Sequence, residues 1–208
     1  MNNRYLHHCT VWAFYALVLL SHHVFAADAD LSNLDKDAVV KKPAVVPSHL
    51  TRGLSIQPAA PPKTTPTRGY DATRGVVTIE EVDGTIKELP YVVLPIFFKV
   101  NSDELLDAQS EENLKKLAAK LQESNLRGAQ FTVEGHSSTE GARALNQELS
   151  ERRADRIFSM LVRKFGVEAA RLSAKGFGAD APEAIPELTE KDRQRNRRVL
   201  IVKESNAP

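Results

Sequence analysis

Polar residues that could hold an anionic group cluster where a predicted strand leads into a predicted helix. Apolar and polar residues alternate from Phe131 to Gly135, which indicates a strand with one buried face, and a helical pattern begins near Ala142. The first turn of a helix leaves backbone N–H groups without intrahelical partners and carries about half a positive charge. The junction is therefore a candidate site for an anionic ligand group. Its residues are turn and cap formers: His136, Ser137, Ser138, Thr139 and Gly141.

The junction and a later segment resemble the signature of the OmpA-like peptidoglycan-binding domain. That signature reads GHTDxxGxxxxNxxLSxxRA, followed further along by RxxNRRV. The resemblance covers about residues 88 to 204. The departure that matters most is Ser138, which stands where the family has the Asp of GHTD, and Ser137 replaces the Thr before it. The matching residues, all in register, are Gly135, His136, Gly141, Asn146, Leu149, Ser150, Arg153, Ala154, Arg193, Asn196, Arg197, Arg198 and Val199.

The resemblance implies a site for the diamino acid of the peptidoglycan stem peptide. In the family, the GHTD Asp grips the ammonium of that residue and the arginine of LSxxRA grips its carboxylate. Arg153 holds the arginine position here, and a planar guanidinium is a natural partner for a carboxylate. The ligand-binding residues expected on this basis are Ser138, Thr139, Glu140, Asn146, Arg153 and Arg197, and the expected structural positions are Gly135, His136, Gly141, Leu149, Ser150 and Asn196.

The serine at position 138 weakens this expectation. A hydroxyl can accept a hydrogen bond from an ammonium but carries no charge, and a charged partner contributes about 1 to 2 kcal/mol more. Such a difference corresponds to a loss of affinity of roughly tenfold or more. Glu140 is an alternative source of the missing carboxylate. Two functions stay open: binding of the stem peptide, or a degenerate module that acts as a protein-interaction or structural domain in the periplasm.

Each candidate side chain also has a structural interpretation. Arg153 could form a structural salt bridge, and the hydroxyl of Ser150 is expected to bond within its own helix. His136 is expected to be a structural turn residue, because no Ser–His–Asp arrangement accompanies it. Among the arginines near position 197, one is expected to pack back on the sheet and another to help form an anion-binding rim. Which arginine takes which role is open.

The surrounding pattern predicts an α/β domain, an OmpA-like two-layer sandwich of order βαβαββ. It would have a mixed four-stranded sheet with helices on one face. The nearly continuous apolar run from Tyr91 to Val100 is typical of a central strand, with a bulge or strand start at Pro95. The next helix, capped by Asp107 or Ser110, has one apolar face made of Leu114, Leu117, Ala118 and Leu121.

The residues before this domain divide into three predicted parts. Residues 1–26 resemble a secretory signal peptide, with Ala27 as the new N-terminus; the apolar run is about a dozen residues, short of the roughly 20 that span a bilayer. Residues 27–75 are Pro-rich and predict a disordered tether, in which the tripeptide Thr-Arg-Gly recurs. We interpret these tripeptides as solvated spacers. Residues 76–89 predict a hairpin around Asp83-Gly84 that leads into the domain at 88–204.

Composition excludes several function classes. The chain has 28 basic and 27 acidic residues, and Arg4 is the one charged residue of the predicted signal, so the exported chain has 27 of each and a net charge of 0. Broad attraction to nucleic acid is therefore unsupported. The lone cysteine, Cys9, leaves with the signal, which excludes a disulfide framework and a thiolate metal site.

These observations predict a non-catalytic protein without cofactor or metal. No nucleophile pairs with a base in the sequence, and no set of metal ligands appears. The expected location is the periplasm, associated with the outer membrane or cell wall of a Gram-negative-type envelope. The expected partners are peptidoglycan and, through the tether, an outer-membrane or envelope protein.

Overall fold

The computed structural model describes residues 28–42 and 66–206. These residues form seven strands, three α-helices and two 3-10 turns. The strands are β1 (Val39–Lys41), β2 (Thr67–Asp71), β3 (Val76–Glu80), β4 (Ile86–Leu94), β5 (Ala129–Gly135), β6 (Leu172–Gly176) and β7 (Val199–Asn206). The helices are α1 (Ala108–Leu121), α2 (Arg143–Arg163) and α3 (Glu190–Asn196), and the 3-10 turns are Ser32–Asp35 and Ala169–Arg171.

The strands make one mixed sheet in the order β2-β3-β4-β7-β5-β6, with β1 also paired to β4. The β5 and β6 strands run parallel and the other pairs run antiparallel. The predicted α/β class, mixed sheet and helix order are confirmed. The prediction of a four-stranded sheet accounts for β4, β7, β5 and β6; β3 was predicted as the first strand of the lead-in hairpin, and β1 and β2 were not predicted.

The main core lies between the sheet and helices α1 and α2. All four predicted apolar positions of α1 are buried, and they pack with sheet residues such as Phe131 and Ile201. Asp107 is the N-cap of α1, and its carboxylate accepts a hydrogen bond of 2.7 Å from the backbone N–H of Ser110. This contact satisfies one of the donors that a helix start leaves unpaired, so it supports the predicted boundary.

The predicted hairpin is present, but its second strand continues into the domain. Asp83-Gly84 forms the turn, with Gly84 at a φ of 79° that favours glycine. The β4 strand then runs without interruption from Ile86 and ends at Leu94, directly before Pro95. The predicted central strand is therefore present over its first four residues, Tyr91–Leu94, whereas its extension to Val100 and the bulge or strand start at the proline were wrong. A proline has no backbone N–H for the ladder, so here it ends the strand.

The predicted tether is ordered on the domain at both of its ends. Leu34 is fully buried in the main core, and the side-chain amide of Asn33 donates to the backbone oxygens of Gly75 and Tyr91 at 2.5 and 2.6 Å. The β1 and β2 strands join the sheet in the same region. The prediction of disorder over all of residues 27–75 is wrong for these parts, because composition does not show where backbone groups find a strand partner. Residues 43–65, Ala27 and the predicted signal peptide lie outside the described residues.

The hairpin made of β2 and β3 also covers the sheet face that α1 and α2 leave free. A second apolar cluster lies there, made of Val77, Leu89, Tyr91, Leu200 and Val202, with Tyr70 packed against it. Arg68 on β2 reaches Glu134 on β5, although β3, β4 and β7 lie between those strands in the sheet. The hairpin therefore folds back over this face. Within residues 28–42 and 66–206, no helix has the length and apolar character needed to cross a bilayer.

Candidate functional site

The candidate site begins where helix α2 packs unusually close to the ends of β5 and β6. A Cβ atom at Gly135 would collide with the backbone oxygen of Ser150, and one at Gly176 would lie 2.6 Å from the hydroxyl of Ser150. The Ser150 hydroxyl donates to the backbone oxygen of Gln147 at 2.8 Å and accepts from the backbone N–H of Gly178 at 2.9 Å. The expected bond of Ser150 within its helix is confirmed, and the second bond fixes the helix against the β6 end.

We expect Gly135→Ala to lower the free energy of unfolding by about 1 to 3 kcal/mol, because the helix backbone must move to admit a methyl group. Gly69→Ala is the matched control, since a Cβ atom at Gly69 meets nothing within 4 Å. Denaturant unfolding of both variants measures the difference. Equal stability of the two variants would show that the close approach of α2 to β5 is not a constraint.

The loop between β5 and α2 is held by Asn146. Its side-chain amide donates to the backbone oxygens of Ser138 and Glu140, at 3.1 and 2.9 Å. Gly141 has a φ of 92°, a conformation that L residues rarely adopt, which explains the glycine at this position. The structure thus gives Asn146 and Gly141 a role in shaping the loop, and the ligand-binding role expected of Asn146 stays a prediction.

Arg153 projects from α2 into a small cavity of about 10 Å³. Its Nε donates to the backbone oxygen of Ser102 at 3.0 Å, and its guanidinium lies 4.9 Å from the ring centroid of Phe98. Burial, and then the positive charge of Arg197, hold the pKa of Arg153 below its ordinary value. Among the described residues no carboxylate lies within 4 Å of its guanidinium. The predicted alternative of a structural salt bridge is therefore not found in this part of the chain.

The two arginines at the end of α3 take different roles, which resolves the open assignment. Arg198 is buried, donates to the backbone oxygen of Ala181 at 3.1 Å and lies 5.1 Å from the ring centroid of Tyr70. Arg197 lines the cavity beside Arg153 and forms a salt bridge with Glu190. Arg198 is thus the arginine that packs back on the sheet, and Arg197 is the one at the rim.

The carboxylates near the loop are not arranged as the sequence predicted. The side chain of Glu140 is 75% exposed, and its carboxylate lies 3.7 Å from Nε of Arg193, which places it outside the cavity. Glu187, which sequence analysis missed, contacts the loop directly. Its Oε1 accepts from the Thr139 hydroxyl at 2.9 Å, and both of its oxygens lie 3.2 Å from the Thr139 backbone nitrogen. A proline-rich loop far along the chain carries no periodic signal, so only folding reveals this contact.

Asn196 holds the segment that carries Glu187. It is fully buried, and its side-chain oxygen accepts from the backbone N–H groups of Glu183 and Ala184 at 2.9 and 2.8 Å. Its side-chain nitrogen donates to Oε2 of Glu187 at 2.6 Å. The expected structural role of Asn196 is consistent with this geometry, and the residue connects the RxxNRRV segment to the loop at Thr139.

The residues that build this site match a known family. The OmpA family model aligns with residues 97–197, a range that holds the β5–α2 loop, Arg153 and Arg197. The chain carries an OmpA-family domain. The predicted resemblance is therefore confirmed, and its matched range begins after β4, so the N-terminal strands lie outside it.

Two curated relatives of the OmpA-like domain are outer-membrane proteins. Outer membrane protein Omp38 of Acinetobacter baumannii is 40% identical over 107 residues, which cover 51% of this chain and 29% of the relative. Outer-membrane lipoprotein YfiB of Pseudomonas aeruginosa is 33% identical over 102 residues, or 49% of this chain and 58% of the relative. The chain thus spans well under two thirds of the length of these relatives.

A solved structure with a comparable outline is the peptidoglycan-associated lipoprotein from Burkholderia pseudomallei. It is 23% identical, the alignment covers 52% of this chain and 88% of that one, and the TM-score is 0.46. A likeness of this size does not by itself establish a relationship, so the assignment to the OmpA family depends on the family model and the motif.

Behind the loop, the OmpA-like domain buries a polar cluster that the N-terminal strand β2 completes. His136 stacks on Phe177 with ring centroids 5.3 Å apart, and its Nε2 lies 3.5 Å from the carboxylate of Glu134. Tyr70 donates from its hydroxyl to Glu134 at 2.9 Å, and Arg68 forms a salt bridge with the same carboxylate. Burial, and then the charge of Glu134, raise the pKa of Tyr70. The predicted structural role of His136 is consistent with this packing.

Proposed function

We propose that this protein binds the peptidoglycan stem peptide without catalysis and so attaches to the cell wall. The observation that carries the proposal is the half-buried guanidinium of Arg153, which has no carboxylate within 4 Å among the described residues. Its Nε donates to the backbone oxygen of Ser102, its guanidinium lies near the Phe98 ring, and the residue lines the cavity. A preorganised guanidinium of this kind is suited to bidentate binding of a ligand carboxylate.

The charge distribution around the cavity supports an anionic ligand group. Arg153, Arg197 and Arg198 all line the cavity, and the carboxylates that pair with the last two, those of Glu190 and Glu183, do not. A like charge beside Arg153 disfavours its charged form, and an incoming carboxylate relieves that repulsion. The lining of the cavity contains three arginines and no carboxylate, and the carboxylate of the family's stem-peptide ligand would supply that negative charge.

We expect Arg153→Ala to weaken binding to insoluble cell wall by about 2 kcal/mol, roughly thirtyfold, because the charge-assisted bidentate contact is lost. Arg153→Lys should recover little of the loss, since an ammonium cannot form the same fork. Sedimentation of purified protein with insoluble wall, with free diamino acid as competitor, measures both effects.

The neighbouring Arg152 provides the matched control for this experiment. It lies on the exposed side of α2 and pairs with Glu148 on the same helix, so Arg152→Ala removes the same charge without touching the cavity. We expect its wall binding to stay within about twofold of the unmodified protein, as for a surface pair. A folded Arg153→Ala protein that binds the wall as well as Arg152→Ala would contradict the proposal.

The second candidate function is a protein-interaction or structural domain in the periplasm. It is favoured by Ser138, which carries no charge and is only 5% exposed, with its backbone oxygen already bonded to Asn146. If neither the wall nor free diamino acid binds, this function replaces the first. The sedimentation experiment therefore separates the two.

The place of the protein in the envelope belongs to the same proposal. The curated relatives are outer-membrane proteins, and we place this chain in the periplasm, at the outer membrane or cell wall, after removal of residues 1–26. An envelope protein could be held through residues 43–65, which lie outside the described residues.

A further inference from the structure

We infer that Glu187 supplies the negative charge that Ser138 lacks, and that it binds the ammonium of the ligand's diamino acid. This inference rests on the proposed function, since it assigns the second half of the same site. It also replaces Glu140, which the sequence offered as the source of a carboxylate.

The Glu187 carboxylate contacts Thr139, the residue next to Ser138, which holds the position of the family's Asp. Thr139 follows Ser138 in the loop, and its hydroxyl donates to Oε1 of Glu187 at 2.9 Å. The backbone nitrogen of Thr139 lies 3.2 Å from both oxygens. The carboxylate therefore reaches the loop from a different segment of the chain, within one residue of the position where the family carries its own.

The carboxylate is both held and charged. Asn196, itself fully buried, donates to Oε2 of Glu187 at 2.6 Å and keeps the side chain against the loop. Burial acts to raise the pKa of Glu187, but hydrogen bonds from Asn196 and Thr139 outweigh it, and the pKa lies below its ordinary value. Glu187 is only partly buried, so the residue remains accessible from solvent. An ionised, positioned carboxylate is the partner that an ammonium requires.

Glu140 is unsuited to this role on the same evidence. Its side chain is 75% exposed, and the charge nearest to it is Arg193 at 3.7 Å. An exposed pair of this kind contributes little and does not fix the carboxylate in one position. Glu140 is therefore a matched control for Glu187: it lies in the same loop and carries the same charge, but among the described residues its carboxylate has only the exposed contact with Arg193, whereas that of Glu187 is hydrogen-bonded to Thr139 and Asn196.

The test measures the preference for an ammonium rather than affinity alone. Two stem tripeptides are used as probes, one ending in diaminopimelic acid and the other in 2-aminopimelic acid, which keeps the distal carboxylate and lacks the distal ammonium. We expect the unmodified protein to prefer the first by about tenfold. Glu187→Gln should reduce this preference to about twofold or less, and Glu140→Gln should leave it unchanged. Calorimetric titration of each protein with each tripeptide gives the ratios.

A rescue variant and the use of ratios protect the test from effects on folding. A smaller fraction of competent protein lowers both affinities by the same factor, so it does not change their ratio. Ser138→Asp in the Glu187→Gln background should restore the preference, because it returns a carboxylate to the loop. If Glu187→Gln keeps the tenfold preference, or if the unmodified protein binds both tripeptides equally, the inference is overturned and the proposed function stands. If the unmodified protein binds neither tripeptide, the proposed function itself fails, and the inference falls with it.

Discussion

Replacing Arg68 with alanine is expected to destabilise the folded protein by about 3 to 5 kcal/mol, because it strands a buried carboxylate. The side chain of Glu134 is 1% exposed and that of Arg68 is 20% exposed. The remaining contacts of Glu134 are the Tyr70 hydroxyl at 2.9 Å and His136 at 3.5 Å, and neither carries a full positive charge at neutral pH. A single neutral hydrogen bond does not compensate for an ion removed from water.

Chemical denaturation of Arg68→Ala measures this cost. The chain offers a matched control in another copy of the Thr-Arg-Gly tripeptide. Arg74 belongs to another Thr-Arg-Gly copy, but its side chain is 52% exposed and its partners are the surface acids Asp71 and Glu88. We expect Arg74→Ala to cost at most about 1 kcal/mol. Adding Glu134→Gln to Arg68→Ala should recover part of the loss, since the buried carboxylate that lost its partner is then neutral. Equal costs for the two arginines would contradict a structural role for β2.

The second large effect is a loss of stability on mild acidification caused by His136. Burial, opposed in part by Glu134, lowers the pKa of His136 from 6.5 to about 4. Between those values the unfolded chain binds a proton that the folded protein does not, so the contribution is fully present above pH 6.5 and declines as the pH falls. From pH 6.5 to 4.5 the free energy of unfolding should fall by about 2 to 3 kcal/mol.

This window separates the histidine from the carboxylates. Several acids, including Asp71, Glu187 and Asp192, have lowered pKa values, and they cost stability mainly below about pH 4, where the unfolded chain takes up their protons. Urea unfolding at half-unit steps from pH 7.5 to 4.5, compared with His136→Asn, measures the effect. A variant with the same slope as the unmodified protein would show that His136 is not the titrating group.

The central elements were predictable because their signals are local. The face of α1 follows a helical period, Asp107 caps it, and the turn at Asp83-Gly84 joins two alternating runs. The motif residues also fell where the resemblance placed them: Gly135 allows the close approach of α2, and Asn196 organises the loop before α3. The helix period, the cap and the turn depend on residues that are close in sequence, and the motif residues have fixed spacings that the family shares.

The errors share a different cause, since they concern contacts between distant segments. Leu34 and Asn33 lie in a stretch whose composition predicts disorder, yet Leu34 is fully buried. Asn33 donates hydrogen bonds to Gly75 and Tyr91, which follow it by 42 and 58 residues in the chain. Arg68 lies in a tripeptide interpreted as a spacer, although it pairs with a buried acid on β5. A short segment of low hydrophobicity can still be ordered when a preformed sheet supplies hydrogen-bond partners and a charge to neutralise.

By itself, the sequence determined the fold class, the order of β4, α1, β5, α2, β6 and β7, the OmpA-like motif and the position of Arg153 within it. These follow from periodicity, caps and spacing, which are written along the chain. Only the tertiary structure decided which charges meet. It placed Glu187 rather than Glu140 against Thr139, assigned Arg197 to the cavity rim and Arg198 to the sheet, and used β2 to neutralise Glu134. The reason is physical: the environment of a charge depends on the segments that fold around it, and those come from anywhere in the chain.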